Sequence, residues 1–398
     1  MSRFDEIAHA LGEAALDGWL FYDFRLSDPL AYRVLGLSSA GITTRRWFCF
    51  VPADTPPIAL VSAVEPNRLD SLGVQKIVYR SAAEMLEALR TMLAGRRRIA
   101  MDYSPNCAIP YVSRVDAGTV ELIRSLGVEV VSAADLIQTF EARLMPAGLA
   151  SHHRAAAIVR AVVDETFAEI GRTLRANEPI SEFSIQSFVL ARFESHGLVA
   201  EEPPIVAVNA NAANPHFAPK RAADTAIRRA DLVLLDLWAK EPHPDAIYAD
   251  QTWMAYAGER VPDEYARVFA IAAEARDRAV ALIVNRTAAR ETISGAEADR
   301  AARAVIEAAG FGPRFVHRTG HSIGREVHGT GANLDSLETD DHRTLVEGSC
   351  FSVEPGIYLP GRFGVRTELN MTIEGGRARV SAAPAQTAIT ALLAPGAR

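Results

Sequence analysis

The amino-acid sequence predicts an α+β protein in two domains, a smaller α/β domain over residues 1–147 and a larger α+β domain over residues 148–398. Three observations carry this. At 398 residues the chain is too long for one ordinary core, because domains commonly run about 100–200 residues. Up to residue 145, short apolar strands alternate with amphipathic helices. Beyond it the helices are longer and come in blocks, with strands spaced as hairpin pairs. That pattern suits helices segregated from an antiparallel sheet better than a doubly wound one.

Taken in order, residues 4–15 carry apolar side chains at helical spacing, and Gly18-Trp-Leu-Phe-Tyr22 reads as a strand. Trp47-Phe-Cys-Phe-Val51, Ile58-Ala-Leu-Val61 and Lys76-Ile-Val-Tyr79 are short strands bounded by proline, glycine and charge. Residues 82–93 fit a helix, Arg98-Ile-Ala-Met101 a strand, and residues 115–126 a helix closed by Gly127. Val128-Glu-Val-Val131 and a helix over 133–140 complete the half. No strand here is followed by a glycine-rich phosphate loop or a dinucleotide fingerprint, and His9 is the only histidine. This half is expected to cap or dimerise rather than to catalyse.

Pro146-Ala-Gly148 marks the boundary. An alanine-rich stretch over 150–174, with Ile158, Val162, Phe167 and Ile170, reads as a long amphipathic helix. Further helices fit 182–194, 261–284 and 295–309, and strands fit 204–208, 231–237, 247–256, 351–358 and 364–373. No repeat or low-complexity run interrupts them.

Half the residues are apolar (49%) and 23% are charged, an ordinary globular balance. A formal charge of −7 argues against nucleic acid or an anionic membrane as the partner. No apolar run approaches the roughly 20 residues that span a bilayer, and Met-Ser-Arg-Phe-Asp-Glu lacks a signal-peptide core. Cys49, Cys107 and Cys350 form no spaced pair, so neither a disulfide framework nor a cysteine zinc site is indicated. A cytoplasmic protein is expected.

The chemistry gathers in the second half. His317-Arg-Thr-Gly-His-Ser-Ile-Gly-Arg-Glu-Val-His328 sets three imidazoles close together, with Gly320 and Gly324 around His321. Such spacing suits one metal ligand with two neighbours able to hydrogen-bond a substrate. A polar turn with incidental histidines is the alternative, and the acids elsewhere weigh against it. Asp236 closes the apolar run 232–235, where a carboxylate is costly unless paired or metal-bound. Asp250 lies in the next strand, where a hairpin would set it opposite Asp236. Glu354 stands where a strand meets Pro355-Gly356, and Arg366 and Glu368 share a strand face by the two-residue period.

In this order, Asp236, Asp250, His321, Glu354 and Glu368 resemble the five metal ligands of the pita-bread metallopeptidases. That family includes prolidase, aminopeptidase P and methionine aminopeptidase, with creatinase as a metal-free relative. His321-Ser-Ile-Gly is similar to the family's His-Gly-Ile-Gly, Glu354-Pro-Gly-Ile-Tyr358 to its Glu-Pro-Gly segment, and Val365-Arg-Thr-Glu368 to its Arg-x-Glu strand. Asn214-Pro-His216 resembles the segment with its substrate-side histidine. The first half is only loosely similar to the creatinase-type N-terminal domain, through Asp28-Pro-Leu-Ala-Tyr32 and Leu35-Gly36.

The resemblance implies a C-terminal pita-bread catalytic domain behind a smaller creatinase-like α/β domain, as a homodimer. It implies two divalent ions per subunit, Mn²⁺ in preference to Zn²⁺ or Co²⁺ for a mostly oxygen ligand set. Asp250 and Glu368 would bridge them, Asp236 would hold one, and His321 and Glu354 the other. Glu354 would also shuttle a proton from the bridging water to the leaving nitrogen. His216 and His328 would bind substrate and oxyanion, His317 would line the pocket, and Arg366 would orient a carboxylate. The sequence departs in reading Leu237-Trp-Ala after the first Asp, Gln251-Thr-Trp253 for Ile-Thr-Arg, and Gly329-Thr-Gly-Ala332 after His328. No arginine follows His328 where some prolidases hold the substrate carboxylate, so Arg325, Arg362 and Lys220 become the candidates.

The resulting expectation is an Xaa-Pro dipeptidase that cleaves a small peptide before proline. The alternatives are aminopeptidase P, a metal-free hydrolase of the creatinase or ectoine-hydrolase kind, and an inactive peptide-binding module.

Overall fold

The computed structural model describes residues 2–396, which fall into two compact units, Met1–Glu141 and Ala142–Arg398. The division comes earlier than the boundary read at Pro146-Ala-Gly148. Pro146 is not a linker residue: it starts a helix at the first-turn position, where its missing N–H costs nothing.

Unit 1 is a mixed sheet clothed by helices on both faces. Its strands are β1 (Gly18–Asp23), β2 (Trp47–Pro52), β3 (Ile58–Ser62), β4 (Gln75–Tyr79), β5 (Arg98–Met101) and β6 (Glu129–Ser132). They lie in the order β4-β3-β2-β1-β5-β6. The helices are α1 (Arg3–Glu13), α2 (Pro29–Leu35), α3 (Ala82–Met92), α4 (Ala117–Arg124) and α5 (Ala134–Ile137). Alternation along β1 sends Trp19 and Phe21 to one core with Ile7 and Leu11, and Leu20 and Tyr22 to the other with Leu89 and Ile123. The helix expected over 133–140 stops at Ile137 and continues as a π-helical turn, Gln138–Ala142.

Helix α2, too short to show a periodicity, is set by its cap. Asp28 accepts from the Leu30 and Ala31 N–H groups at 3.1 Å each, and Pro29 follows it. The remaining oxygen of Asp28 and Oδ2 of Asp102 are buried with no other partner, while Asp102 Oδ1 takes the Trp19 indole N–H at 2.8 Å. One proton held on Asp28 satisfies both orphaned oxygens. Burial, then the Asp102 charge, hold Asp28 far above the usual carboxylate range, and burial pushes Asp102 up to about 6. Both acids bind protons more tightly folded than unfolded. Their contribution is therefore complete below the unfolded value near pH 4 and is lost as pH rises through the folded values. Asp28→Asn keeps the cap and offers an uncharged N–H donor to Asp102. It is expected to raise the melting temperature by about 2–4 °C at pH 8 and to bring little gain near pH 4. A gain that does not vary with pH would count against the shared proton.

Unit 2 begins with α6 (Pro146–Ala176) and α7 (Glu182–Ser195), then β7 (Ile205–Val208), β8 (Leu232–Ala239) and β9 (Ala249–Tyr256). Helices α8 (Asp263–Ala288) and α9 (Gly295–Ala308) follow, then β10 (Cys350–Val353), β11 (Gly356–Leu359), β12 (Phe363–Arg366), β13 (Leu369–Glu374), β14 (Arg377–Val380) and β15 (Thr390–Ala391). The sheets run β15-β9-β8-β7, β10-β13-β14 and β11-β12. Odd residues of β8 (Val233, Leu235, Leu237) pack with Val159, Val163 and Val189 of α6 and α7. Even ones (Leu232, Leu234) pack with Phe269, Ala272 and Ala302 of α8 and α9. The sheet is thus a layer between two helix pairs, and β8 and β9 are buried on both faces.

The strands expected as continuous over 351–358 and 364–373 are each broken once. β10 pairs with β13 as far as Val353↔Leu369, and β11 with β12 from Gly356↔Arg366. Between them Glu354-Pro355 and Thr367-Glu368 leave the ladder. Pro355 has no N–H to donate, the Glu354 N–H goes to Thr319 O at 2.7 Å, and the Glu368 N–H goes to Thr252 O at 3.2 Å. Among the described residues no helix is long and apolar enough to cross a membrane.

Candidate metal centre

The even-numbered face of β8 and β9 turns polar at one end, and this is where the acids collect. The hairpin register pairs Asp236 with Thr252 and Trp238 with Asp250. Asp250 is therefore not directly opposite Asp236 but one diagonal step along the same face. Strand β9 is held there by Asn370, whose side chain accepts from the Asp250 N–H at 2.8 Å and donates to its carbonyl at 2.6 Å. Glu354 and Glu368 reach the same place from the two gaps in the broken hairpin.

His321 arrives on a segment that only glycine permits. A Cβ at Gly320 would lie 2.0 Å from the Ser352 carbonyl oxygen, so the chain can close against β10. The His321 N–H then donates to Ser352 Oγ at 2.9 Å. Its Nδ1–H donates to the Ser322 carbonyl at 3.1 Å, which fixes the tautomer and leaves a lone pair on Nε2. That lone pair faces Asp250 Oδ2 at 3.5 Å and Glu354 Oε1 at 3.4 Å. Burial keeps the imidazole's proton affinity below its usual value.

Ligand atoms of Asp250, His321 and Glu368 all lie within 4.8 Å of one another. Asp250 Oδ1 and Glu368 Oε1 are buried with no hydrogen-bond partner. Burial, then repulsion from neighbouring carboxylates, pushes Asp250 up to about 8 and Glu368 well above its usual range. Burial likewise pushes Asp236 up to about 7 against the opposing Arg366 charge. Orphaned carboxylate oxygens and an imidazole lone pair converge on one volume. The donor set fits hard divalent ions.

Arg366 organises the other flank. Its guanidinium is ion-paired to Asp236 Oδ2, donates through Nε to Thr252 Oγ1 at 3.0 Å, and donates through a terminal nitrogen to the Tyr358 hydroxyl at 3.0 Å. Thr252 in turn donates to Glu368 at 2.7 Å. The Tyr358 O–H points at His317 Nε2, 2.8 Å away, because His317 Nδ1–H is donated to the Arg318 carbonyl at 2.6 Å. Burial holds His317 neutral, down to about 4. Both its nitrogens thus meet protein groups, and the half-buried ring supports Tyr358, which in turn meets Arg366.

His328 is exposed, with its ring packed on His321 at 4.3 Å between centroids. His216 is also exposed. Its segment meets the centre through the Pro215 carbonyl, 3.4 Å from Arg366, and not through a contact of its own ring with the acids. Of the cations expected to meet a substrate carboxylate, Arg325 is paired with Asp245 at 3.1 Å and Arg362 with Glu264 at 2.7 Å. Lys220 is exposed. The charge of Arg318, a residue given no part by its sequence position, bears on His321, His328 and Glu354.

Thr252, Ser352, Tyr358 and Asn370 are the supporting residues that motif reading passes over. Three of them lie two residues from a candidate ligand: Thr252 from Asp250, Ser352 from Glu354 and Asn370 from Glu368. The two-residue strand period is the signal that would have found them. The same period explains why Gln251-Thr-Trp253 leaves the centre intact. Gln251 and Trp253 face α6, where Gln251 donates to the Ala156 carbonyl at 2.9 Å and the Arg160 guanidinium lies 3.9 Å from the Trp253 ring centroid.

Comparison with known proteins gives a family model, metallopeptidase family M24, that matches residues 150–374. An Xaa-Pro dipeptidase of Lactobacillus helveticus is 36% identical over 164 residues, 41% of this chain and 40% of that protein. An Xaa-Pro dipeptidase of Pyrococcus furiosus is 35% identical over 187 residues, 46% of this chain and 49% of that protein. The matched segments thus span less than half of either relative. The crystal structure of dipeptidase PepE from Mycobacterium ulcerans superposes with a TM-score of 0.71 at 23% identity, covering 98% of this chain and 97% of that one. That likeness shows the same two-part α+β fold.

Proposed function

This chain belongs to metallopeptidase family M24, and from that membership we propose that it is a two-metal Xaa-Pro dipeptidase. The observation that supports the reading most is the buried trio Asp250, His321 and Glu368 with its unpartnered oxygens. The names of the two curated relatives supply the substrate class.

Asp236, Asp250, His321, Glu354 and Glu368 would hold the ions. Bound divalent ions, Mn²⁺ in first place and Zn²⁺ or Co²⁺ after it, supply a nucleophilic water at neutral pH and polarise the scissile carbonyl. The remaining work belongs to side chains of this protein. Burial works against the ionised form of Glu354, but the charges of Arg366 and Arg318 help to hold its proton affinity below the usual carboxylate value. It takes the proton of the attacking water and returns it to the leaving proline nitrogen. Arg366 fixes Asp236 and Thr252, and the Tyr358–His317 chain fixes Arg366. His328, pushed down first by the adjacent His321, acts as a neutral donor to the carbonyl oxygen as it gains charge, with His216 binding the substrate from the segment beside Arg366. The proposal includes a cytoplasmic homodimer acting on small peptides.

Proline offers no N–H, so a dipeptidase must recognise the free carboxylate that follows the ring. Xaa-Pro dipeptides are expected to be cleaved roughly ten- to hundredfold faster, as kcat/KM, than their C-terminal amides or Xaa-Pro-Xaa tripeptides. This is the loss of one charge-assisted contact, about 1.5–3 kcal/mol. Equal or faster cleavage of the tripeptides would favour an aminopeptidase P activity instead.

A further inference from the structure

We propose that Trp238 is the specificity-determining residue of this centre, its indole face packing against an apolar side chain on the substrate residue before the scissile bond. The proposal rests on the dipeptidase reading and deepens it. Trp238 follows Asp236 by two residues on the same strand and pairs directly with Asp250 across the hairpin. Directly opposed residues have Cβ atoms about 4.5–5.5 Å apart and project from one face. The indole therefore rises beside a candidate ligand on the face that carries the acids.

Trp238 packs on the small cluster of Ile247, Tyr248, Ile323 and Cys350, as does Val327, and also against the main core that contains Leu234 and Met254. Ile323 follows His321 by two residues and Val327 precedes His328, so the indole stands between the Asp250 strand and the histidine loop. The loop is fixed against the same hairpin. The Lys240 ammonium donates to the Arg325 carbonyl at 2.7 Å, and the Tyr248 N–H donates to the Gly324 carbonyl at 3.0 Å.

Trp238 stays half-buried rather than sealed in the core. Its one polar atom is already used, since the indole N–H donates to the Glu202 carbonyl at 3.1 Å. The ring is thus held in one orientation with only its apolar surface to offer. A rigid aromatic of this kind recognises an apolar group at little entropic cost. In an Xaa-Pro peptide the proline is constant, so a wall that discriminates must read the variable residue.

The test compares wild type, Trp238→Ala and Trp238→Phe on Phe-Pro, Leu-Pro and Ala-Pro, with Mn²⁺ binding followed by calorimetry. Trp238→Ala is expected to lose about tenfold or more in kcat/KM on Phe-Pro and Leu-Pro relative to Ala-Pro, with Mn²⁺ affinity kept. Trp238→Phe should recover most of that ratio. Where Trp238→Ala fails to fold, the ratio is read from Trp238→Phe and Trp238→Leu. Indole fluorescence supplies a readout without turnover: a reduced-bond Leu-Pro analogue should shift it in wild type and not in Trp238→Phe. A uniform loss on all three peptides, or an unchanged ratio, overturns the assignment of Trp238 while leaving the dipeptidase reading standing. A wild type that cleaves no Xaa-Pro peptide overturns that reading, and the fluorescence titration then decides for or against Trp238 by itself.

Discussion

Exhaustive chelation is expected to reduce Xaa-Pro hydrolysis to below about 1% of its starting rate, and Mn²⁺ to restore more of it than Mg²⁺. Four carboxylates meet in one place, three of them buried, and the Arg366 guanidinium is ion-paired to one of them, Asp236. It is spent on Asp236, Thr252 and Tyr358, and its terminal nitrogens do not reach the orphaned oxygens of Asp250 and Glu368. Crowded anions in a poorly solvated site repel strongly, which is why burial and mutual charge drive Asp250 up to about 8. Divalent ions relieve that repulsion and so bind the folded chain far better than the unfolded one. At a hundredfold excess over its dissociation constant, one ion stabilises by about 2.7 kcal/mol, so the chelated protein should also melt at a lower temperature. Mn²⁺ is favoured over Mg²⁺ because the set includes an imidazole and spreads over several strands, while Mg²⁺ demands near-ideal octahedral oxygen geometry. Metal analysis of the chelated protein alongside its rate is the decisive measurement. Full activity with no metal would transfer the chain to the metal-free C–N hydrolases.

How much of this is legible in the sequence follows from how each feature is encoded. Long helices such as α6 and α8 repeat their pattern over many turns, so their existence is plain and only their ends shift. The candidate ligands are legible because each breaks a local rule, as Asp236 does by sitting in an apolar strand. The breaks at Glu354-Pro355 and Thr367-Glu368 are less so: both strands keep apolar residues on either side, and the fault lies in the pairing, which one strand alone does not display. Register is hidden for the same reason. The loop between β8 and β9 does not reveal that Trp238 rather than Asp236 opposes Asp250. The Asp28–Asp102 pair joins residues far apart in sequence, and neither looks unusual until both prove to be buried. His317 shows the limit from the other side. Its spacing suggests a pocket residue, and only the Arg318 carbonyl and the Tyr358 hydroxyl reveal that both ring nitrogens are occupied.

Glu354→Gln is expected to lower kcat by about 10²–10⁴-fold while changing KM by no more than about threefold. The amide keeps the size of the carboxylate and an oxygen within reach of the centre, so the site should still assemble. What it loses is the ability to accept a proton. Glu354 is placed for that work by Ser352 Oγ, which donates to Oε1 at 3.1 Å, and the same oxygen faces the His321 Nε2 lone pair at 3.4 Å. Its backbone N–H is anchored on Thr319, in the segment that leads to His321. The carboxylate is thus fixed to the histidine strand and to the break in the hairpin together, and a small shift in either would misplace it. Two controls separate proton transfer from ion binding. Metal analysis of Glu354→Gln should show the wild-type ion content, whereas Asp250→Ala should lose metal, because it removes the unpartnered oxygen that Asp250 brings to the centre. Cleavage of a depsipeptide in which an α-hydroxy acid replaces proline, whose leaving oxygen needs less protonation than a proline nitrogen, should recover part of the lost rate in Glu354→Gln. A variant that keeps its metal and turns over within tenfold of wild type on the dipeptide would show that the proton travels by another residue, with His328 the next to test.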